Sequence, residues 1–400
     1  MNNWKGTTLG EICKILSGST PSTKDAGFWD GNISWITPKD LSGYDNVFIE
    51  RGERNITDKG LKNSSAQLLP VNTVLFSSRA PIGYIAIAKR ELTTNQGFKN
   101  IICDEKKTHF KFIYYWLKNR SDYIEKLSSG STFSEASATL MRSLEINLPS
   151  IEEQKQIAAM LSSLDDKIEL LRKQNETLEK IAQGVFKEWF VNFKIDGKKL
   201  KLKNGIPEEW KVGKIYETGK VVCGKTPSKE NTDYFGGKIP FIKIPDMHGQ
   251  MFLLKTIDKL SKNGADSQKT KTIPKNSICV SCIATVGLVS ITTEDSQTNQ
   301  QINSVVPNDE YLLEYLYFSL KSISGFLNSI GSSGTTTANV NTGTFMNLEI
   351  LIPAEEHLLL FHKNTVAMFS KIKDNNFQIQ TLSRLRDTLL PKLMSGEITI

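Results

Sequence analysis

The chain has 400 residues, 39% hydrophobic and 23% charged, the balance of a soluble globular protein with about two to three domains. No run approaches 18 apolar residues and MNNWKG has no apolar core, so neither a membrane span nor a secretory leader is expected; five cysteines then suit free thiols in a reducing, cytoplasmic compartment. The net charge of +7 is uneven: residues 1–150 hold 19 Lys and Arg against 15 Asp and Glu, and 191–206 add five lysines against one aspartate. That excess permits nucleic-acid binding without demanding it.

Residues 1–149 read as a mixed globular domain. VNTVLFSS (71–78) and GYIAIA (83–88) have strand patterns, with Pro81-Ile82-Gly83 as turn chemistry between them. HFKFIYYWLKN (109–119) is apolar on one helical face, and LEINLP (144–149) is a short strand feeding the next element. A long helix is predicted over 150–195. Ser150 and Glu153 form a capping box at its start. Its apolar seam repeats at spacings of four and three through Ile157, Leu161, Leu164, Ile168, Leu171, Leu178, Ala182, Val185 and Trp189, with Asn175 filling the one gap. This is a coiled-coil pattern, and about 40 residues at about 1.5 Å each give a rod of roughly 60 Å. A polar residue such as Asn175 in the seam lowers stability but fixes register and partner.

Residues 196–206 read as a polar linker, and 207–353 as a second globular domain in which YLLEYLYFSLK (311–321) is the helical face and LEILIP (348–353) the last strand. Residues 354–400 read as a second long helix with a C-terminal tail. Its seam is Phe361, Thr365, Met368, Ile372, Asn375, Ile379, Leu382, Arg386, Leu389 and Leu393, each 204 residues after its counterpart in the first helix. Ala354 replaces the capping Ser150, and Thr365 and Arg386 interrupt the seam, so this helix is expected to be the less regular one. The two helices should pair with each other, antiparallel if the repeats share a pseudo-twofold axis. Which layer faces Asn175 is not readable.

The globular parts repeat as well. Trp4-Lys5 returns as Trp210-Lys211, Thr20-Pro21-Ser22 as Thr226-Pro227-Ser228, and FWDG (28–31) as YFGG (234–237). SSRAPIG (77–83) matches SCIATVG (281–287), and Asn95-Gln96 matches Asn299-Gln300. The expected fold is therefore α+β: two repeated globular domains separated by two long antiparallel coiled-coil helices, each domain with a mainly antiparallel sheet of unreadable strand order. Two copies exclude a solenoid.

Enzyme signatures fail on inspection. GKVVCGKT (219–226) fits the phosphate-loop pattern, but Pro227 follows at once and the first repeat has CKILSGSTPS in its place. Cys279 and Cys282 make a single CxxC with no second pair, better read as buried thiols than as zinc ligands. The four histidines show no metal spacing, and no nuclease, methyltransferase, Rossmann or GxSxG pattern is complete. No catalytic or metal-binding residue is expected.

Two repeats, each opening with Trp-Lys, carrying Gly-x-Thr-Pro-Ser and ending in a coiled-coil helix, resemble the specificity subunit of type I restriction–modification systems. SGSTPS, CGKTPS, NLPSIEEQKQIAAMLSSLDDKIE and LLPKLMSGEI carry the likeness over essentially the whole chain. The resemblance implies a non-catalytic subunit with two target-recognition domains, each reading half of a split, asymmetric site on double-stranded DNA. It implies helices that space the domains and dock two modification (methyltransferase) subunits, with restriction (endonuclease and translocase) subunits joining the complex. It implies no cofactor on this chain, the partner subunits using S-adenosylmethionine, ATP and Mg. The rival reading is a coiled-coil scaffold without DNA binding.

Two half-sites differ in sequence, so residues common to both repeats should be scaffold or phosphate contacts. These are Thr20 and Thr226, Asp40 and Asp246, Asn95 and Asn299, Gln96 and Gln300, Ser131 and Thr335, Thr132 and Thr336. Base readers belong where the repeats diverge: Arg51, Arg54, Lys59, Lys62 and Arg79 in the first domain, Lys243, Lys255, Lys259, Lys269 and Lys271 in the second. Arg suits guanine edges bidentately.

Overall fold

A computed structural model describes residues 4–79, 81–128, 135–332 and 339–399. The chain forms two compact units, Met1–Leu170 with Ile379–Ile400, and Leu171–Gln378, so each long helix contributes one part to each unit.

In the first unit a five-stranded sheet runs in the order Cys13–Ser17, Phe98–Cys103, Val74–Ser78, Ile82–Ala88, Phe48–Ile49. All neighbours are antiparallel except the last, Phe48–Ile49, which is parallel to Ile82–Ala88. Alternation along Val74–Ser78 sends Val74 and Phe76 into the core beneath the helix Phe110–Ser128, and Leu75 into a second core with Ile36, Leu41 and Leu92. A three-stranded sheet holds Trp29–Ile36 between Arg54–Ile56, antiparallel, and Thr93–Thr94, parallel. A separate ribbon pairs Lys5–Thr8 with Glu145–Leu148, tying the start of the domain to the strand that enters the long helix.

The second unit repeats this order: Gly219–Cys223, Ile302–Pro307, Ile278–Ser281, Val289–Thr292, Phe252–Leu253, with a three-stranded sheet centred on Phe235–Ile242. Lys211–Lys214 pairs with Glu349–Ile352 as the matching ribbon.

The first long helix is Ile151–Phe186, continued by a π-helical turn Lys187–Val191; the second is Glu355–Ser395. At the first start, the Glu153 amide donates to Ser150 Oγ at 3.2 Å, while Glu153 Oε1 accepts from Trp4 Nε1. The second helix keeps this anchor with other chemistry, Trp210 Nε1 donating to His357 Nδ1 at 3.0 Å.

Within each unit the helix segments run antiparallel. In the first, Ile157, Ala158 and Leu161 share a core with Leu390, Leu393 and Met394, and Leu389 packs at its edge. In the second, Phe186, Trp189 and Phe190 ring Phe361, and Ala182, Ile372 and Phe369 lie in the same core, with Leu178, Val185 and Met368 half-buried against it. Ile168 and Leu171 are buried; Leu164, Ile379 and Leu382 are half-buried. The seam departs from the heptad reading at Asp165, which is buried where Leu164 was expected to be. Arg386 Nη1 donates to its Oδ1 at 2.6 Å and Tyr115 Oη to its Oδ2 at 2.7 Å. The unassigned partner of Asn175 is a second asparagine: Asn375 Nδ2 donates to Asn175 Oδ1 at 2.8 Å, and Asn175 Nδ2 donates to Asn376 Oδ1 at 2.7 Å.

The stretch expected to be a plain linker at 196–206 is two short hairpins. Lys194–Ile195 pairs with Lys198–Lys199, and Leu202–Lys203 with Ile206–Pro207. Their turns are Asp196-Gly197 and Asn204-Gly205, all four at positive φ, the residue pairs that a two-residue hairpin turn favours.

The second unit buries one carboxyl against its long helix. Glu314 is 1% exposed and meets His362 Nδ1 at 2.7 Å. Burial pushes its pKa above the ordinary 4.5, the hydrogen bond from His362 opposing and nearby Glu310 assisting. A carboxyl whose folded pKa is raised gives stability that is full below the unfolded value and is lost as pH rises through the folded one. Glu314→Gln should therefore melt like the parent at pH 4 and above it at pH 8. A variant less stable than the parent at pH 8 would mean that the His362 pair outweighs burial.

Candidate nucleic-acid interface

The common polar residues gather at the end of the central strand of each three-stranded sheet. In the first unit the Asn95 amide donates to Ile36 O at 2.9 Å, continuing the parallel pairing past the strand. The Ser19 amide donates to Thr94 O at 2.9 Å, and Trp35 Nε1 donates to Ser19 O at 3.0 Å. This draws the Gly18–Thr20 loop against the Thr94–Gln96 turn, where Thr20 Oγ1 donates to Gln96 Oε1. Asn95 Oδ1 closes its own turn by accepting from the Gly97 amide. Gly18 leaves no room: a Cβ there would lie 2.0 Å from Asn95 O.

Asp40 sits beside this junction. One carboxylate oxygen accepts from both the amide and the hydroxyl of Thr37, each at 2.7 Å, and the other accepts from the Glu53 amide at 2.7 Å. A fully bonded carboxylate pins the approach of one loop to the next.

The second unit repeats the backbone and Thr–Gln bonds, without the Trp35 indole and Thr37 hydroxyl contacts, whose positions are taken by Phe241 and Lys243. Asn299 N donates to Ile242 O, Lys225 N to Thr298 O, and Thr226 Oγ1 to Gln300 Oε1 at 2.7 Å. Asp246 accepts from the amides of Lys243 and Ile257 at 2.8 and 2.9 Å. Gly224 is as confined as Gly18, a Cβ there falling 2.1 Å from Asn299 O. Thr20, Asp40, Asn95, Gln96 and their partners Thr226, Asp246, Asn299, Gln300 thus bond to one another and to backbone, as a scaffold does. Ser131, Thr132, Thr335 and Thr336 lie outside the described residues.

The divergent cations are displayed around these junctions. Arg54 lies 3.6 Å from the Trp29 ring centroid, and Trp29 packs edge-on to Trp35 at 4.9 Å. Stacking fixes the guanidinium plane and leaves its N–H edge available. Lys59 Nζ meets Asp25 at 3.2 Å, and the Gly27 amide with Lys59 holds the Asp25 carboxyl below its usual range. Arg51 and Lys62 are exposed, and Arg79 is half-buried beyond the strand Val74–Ser78. In the second unit Asp258 occupies the Arg54 position and is paired with Lys243. Lys255, Lys259 and Lys269 are exposed and Lys271 half-buried. The Lys269–Lys271 turn is tied to the junction through buried Gln268, whose Nε2 donates to Lys225 O at 2.7 Å.

Other chemistry finds no support here. Gly219–Cys223 is a sheet strand, where a phosphate loop would need open backbone amides. Cys279 and Cys282 are buried free thiols, and burial pushes Cys279 up to about 12. Two positions lie outside a reading that selects cations: Glu53 and Ile257, the residues whose amides Asp40 and Asp246 hold. The repeat itself carries the signal, since both follow the aligned aspartates in corresponding loops.

Comparison with known proteins agrees with this geometry. The type I restriction modification DNA specificity domain matches residues 1–180 and again 207–384. The MjaIX type I restriction enzyme specificity subunit of Methanocaldococcus jannaschii is 37% identical over 413 residues, covering 100% of this chain and 94% of that one. The HindI specificity subunit of Haemophilus influenzae is 33% identical over 475 residues and covers 100% of both. A crystal structure of the type I system S subunit from M. genitalium shares the fold at a TM-score of 0.63 and 16% identity, across 98% of this chain and 96% of that one. With its two matched domains, its two framed junctions and its paired helices, the chain belongs to the family of type I restriction–modification specificity subunits.

Proposed function

We propose that each globular unit reads one half of a split, asymmetric site on duplex DNA, and that the paired helices fix the separation of the halves and dock two methyltransferase subunits. Restriction subunits complete the assembly, which works in the cytoplasm. S-adenosylmethionine, ATP and Mg belong to those partners, and this chain supplies recognition alone. The observation that carries the reading is the duplicated junction: matching bonds frame two loops whose exposed residues differ. Matching frames with different displays suit two different half-sites.

Methylome sequencing of a host carrying this chain with its modification subunit tests the proposal, and a split asymmetric motif is the expected result. Binding of that duplex should weaken steeply with salt, as phosphate contacts require. A chain that shifts no duplex under these conditions would favour the scaffold reading. Within the site, Arg54→Ala should relax one base position by about 1–3 kcal/mol of discrimination. Lys271, half-buried rather than displayed, is assigned instead to a phosphate, so Lys271→Ala should weaken all sequences alike and flatten the salt slope by about one. Uniform loss from both variants would remove Arg54 as a base reader.

A further inference from the structure

Ile257 is 77% exposed, the barest large hydrophobic side chain among the described residues. A single exposed isoleucine means little by itself. This one is held still. Its amide donates to Asp246 Oδ1 at 2.9 Å. Its neighbour Thr256 is 4% exposed and bonds Asp258 O at 2.6 Å. A β-branched side chain on a fixed backbone has little rotamer freedom left to lose on binding. Lys255 and Lys259 flank it, both exposed. In the first unit the same aspartate-held position is Glu53.

We propose that Ile257 is a specificity-determining residue of the second recognition domain and contacts the 5-methyl group of a thymine in the major groove. This rests on the DNA-recognition reading above. The flanking lysines draw phosphates to either side of the loop, which brings the tip between them to the base edges. Among the groups a base pair presents in the major groove, the thymine methyl is the apolar one. The first unit has at the same place Glu53, whose carboxylate pairs with Lys39 at 2.8 Å, a charged pair where the second unit shows an apolar tip. One pinned locus then presents different chemistry in the two halves.

Exchanging thymine for uracil removes only that methyl. The test uses the full chain with its modification subunit, on the duplex identified by methylome sequencing, with each thymine of the site replaced in turn by uracil. One replacement should weaken the parent about fourfold, the worth of one buried methyl group. The Ile257→Ala complex should not sense that replacement, while keeping the parent's response to changes in the other half-site. Ile257 is on the surface, so the variant's melting temperature should match the parent's. The inference is overturned if no replacement affects the parent, if Ile257→Ala responds as the parent does, or if the half-sites hold no thymine. A response to Ile257→Ala that is independent of every methyl would assign a wedge between base steps instead, which also overturns it. A parent complex with no sequence-selective binding at all would fail earlier, at the recognition reading itself.

Discussion

Replacing Arg386 with alanine is expected to destabilise the first unit by about 3–5 kcal/mol, because it strands a buried carboxylate. Asp165 is 6% exposed and Arg386 retains 15% of its side-chain surface. Tyr115 supplies a second hydrogen bond to Asp165, and burial followed by the Asp165 charge pushes its own hydroxyl pKa far up. The repeat shows what an alternative looks like. At the offset of 204, Asp165 corresponds to Phe369 and Arg386 to Ala182, and both lie in the second unit's core. There Phe369 packs edge-on against Tyr317 and Phe318, each at 5.7 Å, where the first unit has an ion pair. Arg386→Ala combined with Asp165→Leu should recover part of the loss, since no charge is left unpaired, while the buried Tyr115 hydroxyl, deprived of its acceptor, keeps the recovery incomplete. Urea unfolding of the full chain measures both. A loss below about 1 kcal/mol in Arg386→Ala would mean that water reaches Asp165 and that the pair behaves as a surface bridge.

The long helices were legible because their signal is local. A heptad spacing and a capping serine are read within a few turns, and the second copy confirms the period by repetition. The partner of a given layer is a different kind of information. Asn175 meets Asn375 because the globular parts and the antiparallel pairing set the helix register, and no short window of sequence contains that. The same distinction explains Asp165. A seam drawn by hydropathy takes Leu164, whereas the fold places the carboxylate inside because Arg386 and Tyr115 arrive from other elements. The parallel edge strands Phe48–Ile49 and Thr93–Thr94 were likewise beyond reach, since each is two residues long and gains its partner at long range. The hairpins at 194–207 were readable in Asp196-Gly197 and Asn204-Gly205, but the lysine-rich composition around them reads first as linker.

At the candidate site the repeat was the informative instrument. Matching Thr20, Asp40, Asn95 and Gln96 to their second copies picked out residues that the fold brings to one strand end, where they bond to each other. Charge was a coarser guide. It picked Arg54, whose stacking on Trp29 is visible only in three dimensions, and it could not pick Ile257, which is exposed but has no charge. It also grouped Lys243 with the free cations, although Asp258 neutralises it. Display positions are defined by the backbone that holds them, so a search for them has to begin from the frame.

Gly18→Ala is expected to break that frame and with it recognition of one half-site. Its Cβ would meet three atoms of the neighbouring turn within 2.5 Å: Asn95 O at 2.0 Å, Thr94 Oγ1 at 2.3 Å and Thr94 O at 2.5 Å. Two of these are backbone atoms and cannot swing aside as a side-chain tip would. The loop must lift, which opens the bond from the Ser19 amide to Thr94 O and removes the acceptor that Trp35 Nε1 uses. Overpacking of this kind costs about 1–3 kcal/mol in stability. Binding should suffer at least tenfold, about 1.4 kcal/mol, as the Thr20–Gln96 contact and the loops it joins lose their common position. Gly184 is the control: it lies within the first long helix with nothing within 4 Å of its Cβ, so alanine there should add about 0.5–1 kcal/mol of stability and leave binding intact. Duplex titration and thermal melting of the two variants beside the parent separate the cases. Parent-like affinity in Gly18→Ala would show that the junction is not the frame on which recognition depends.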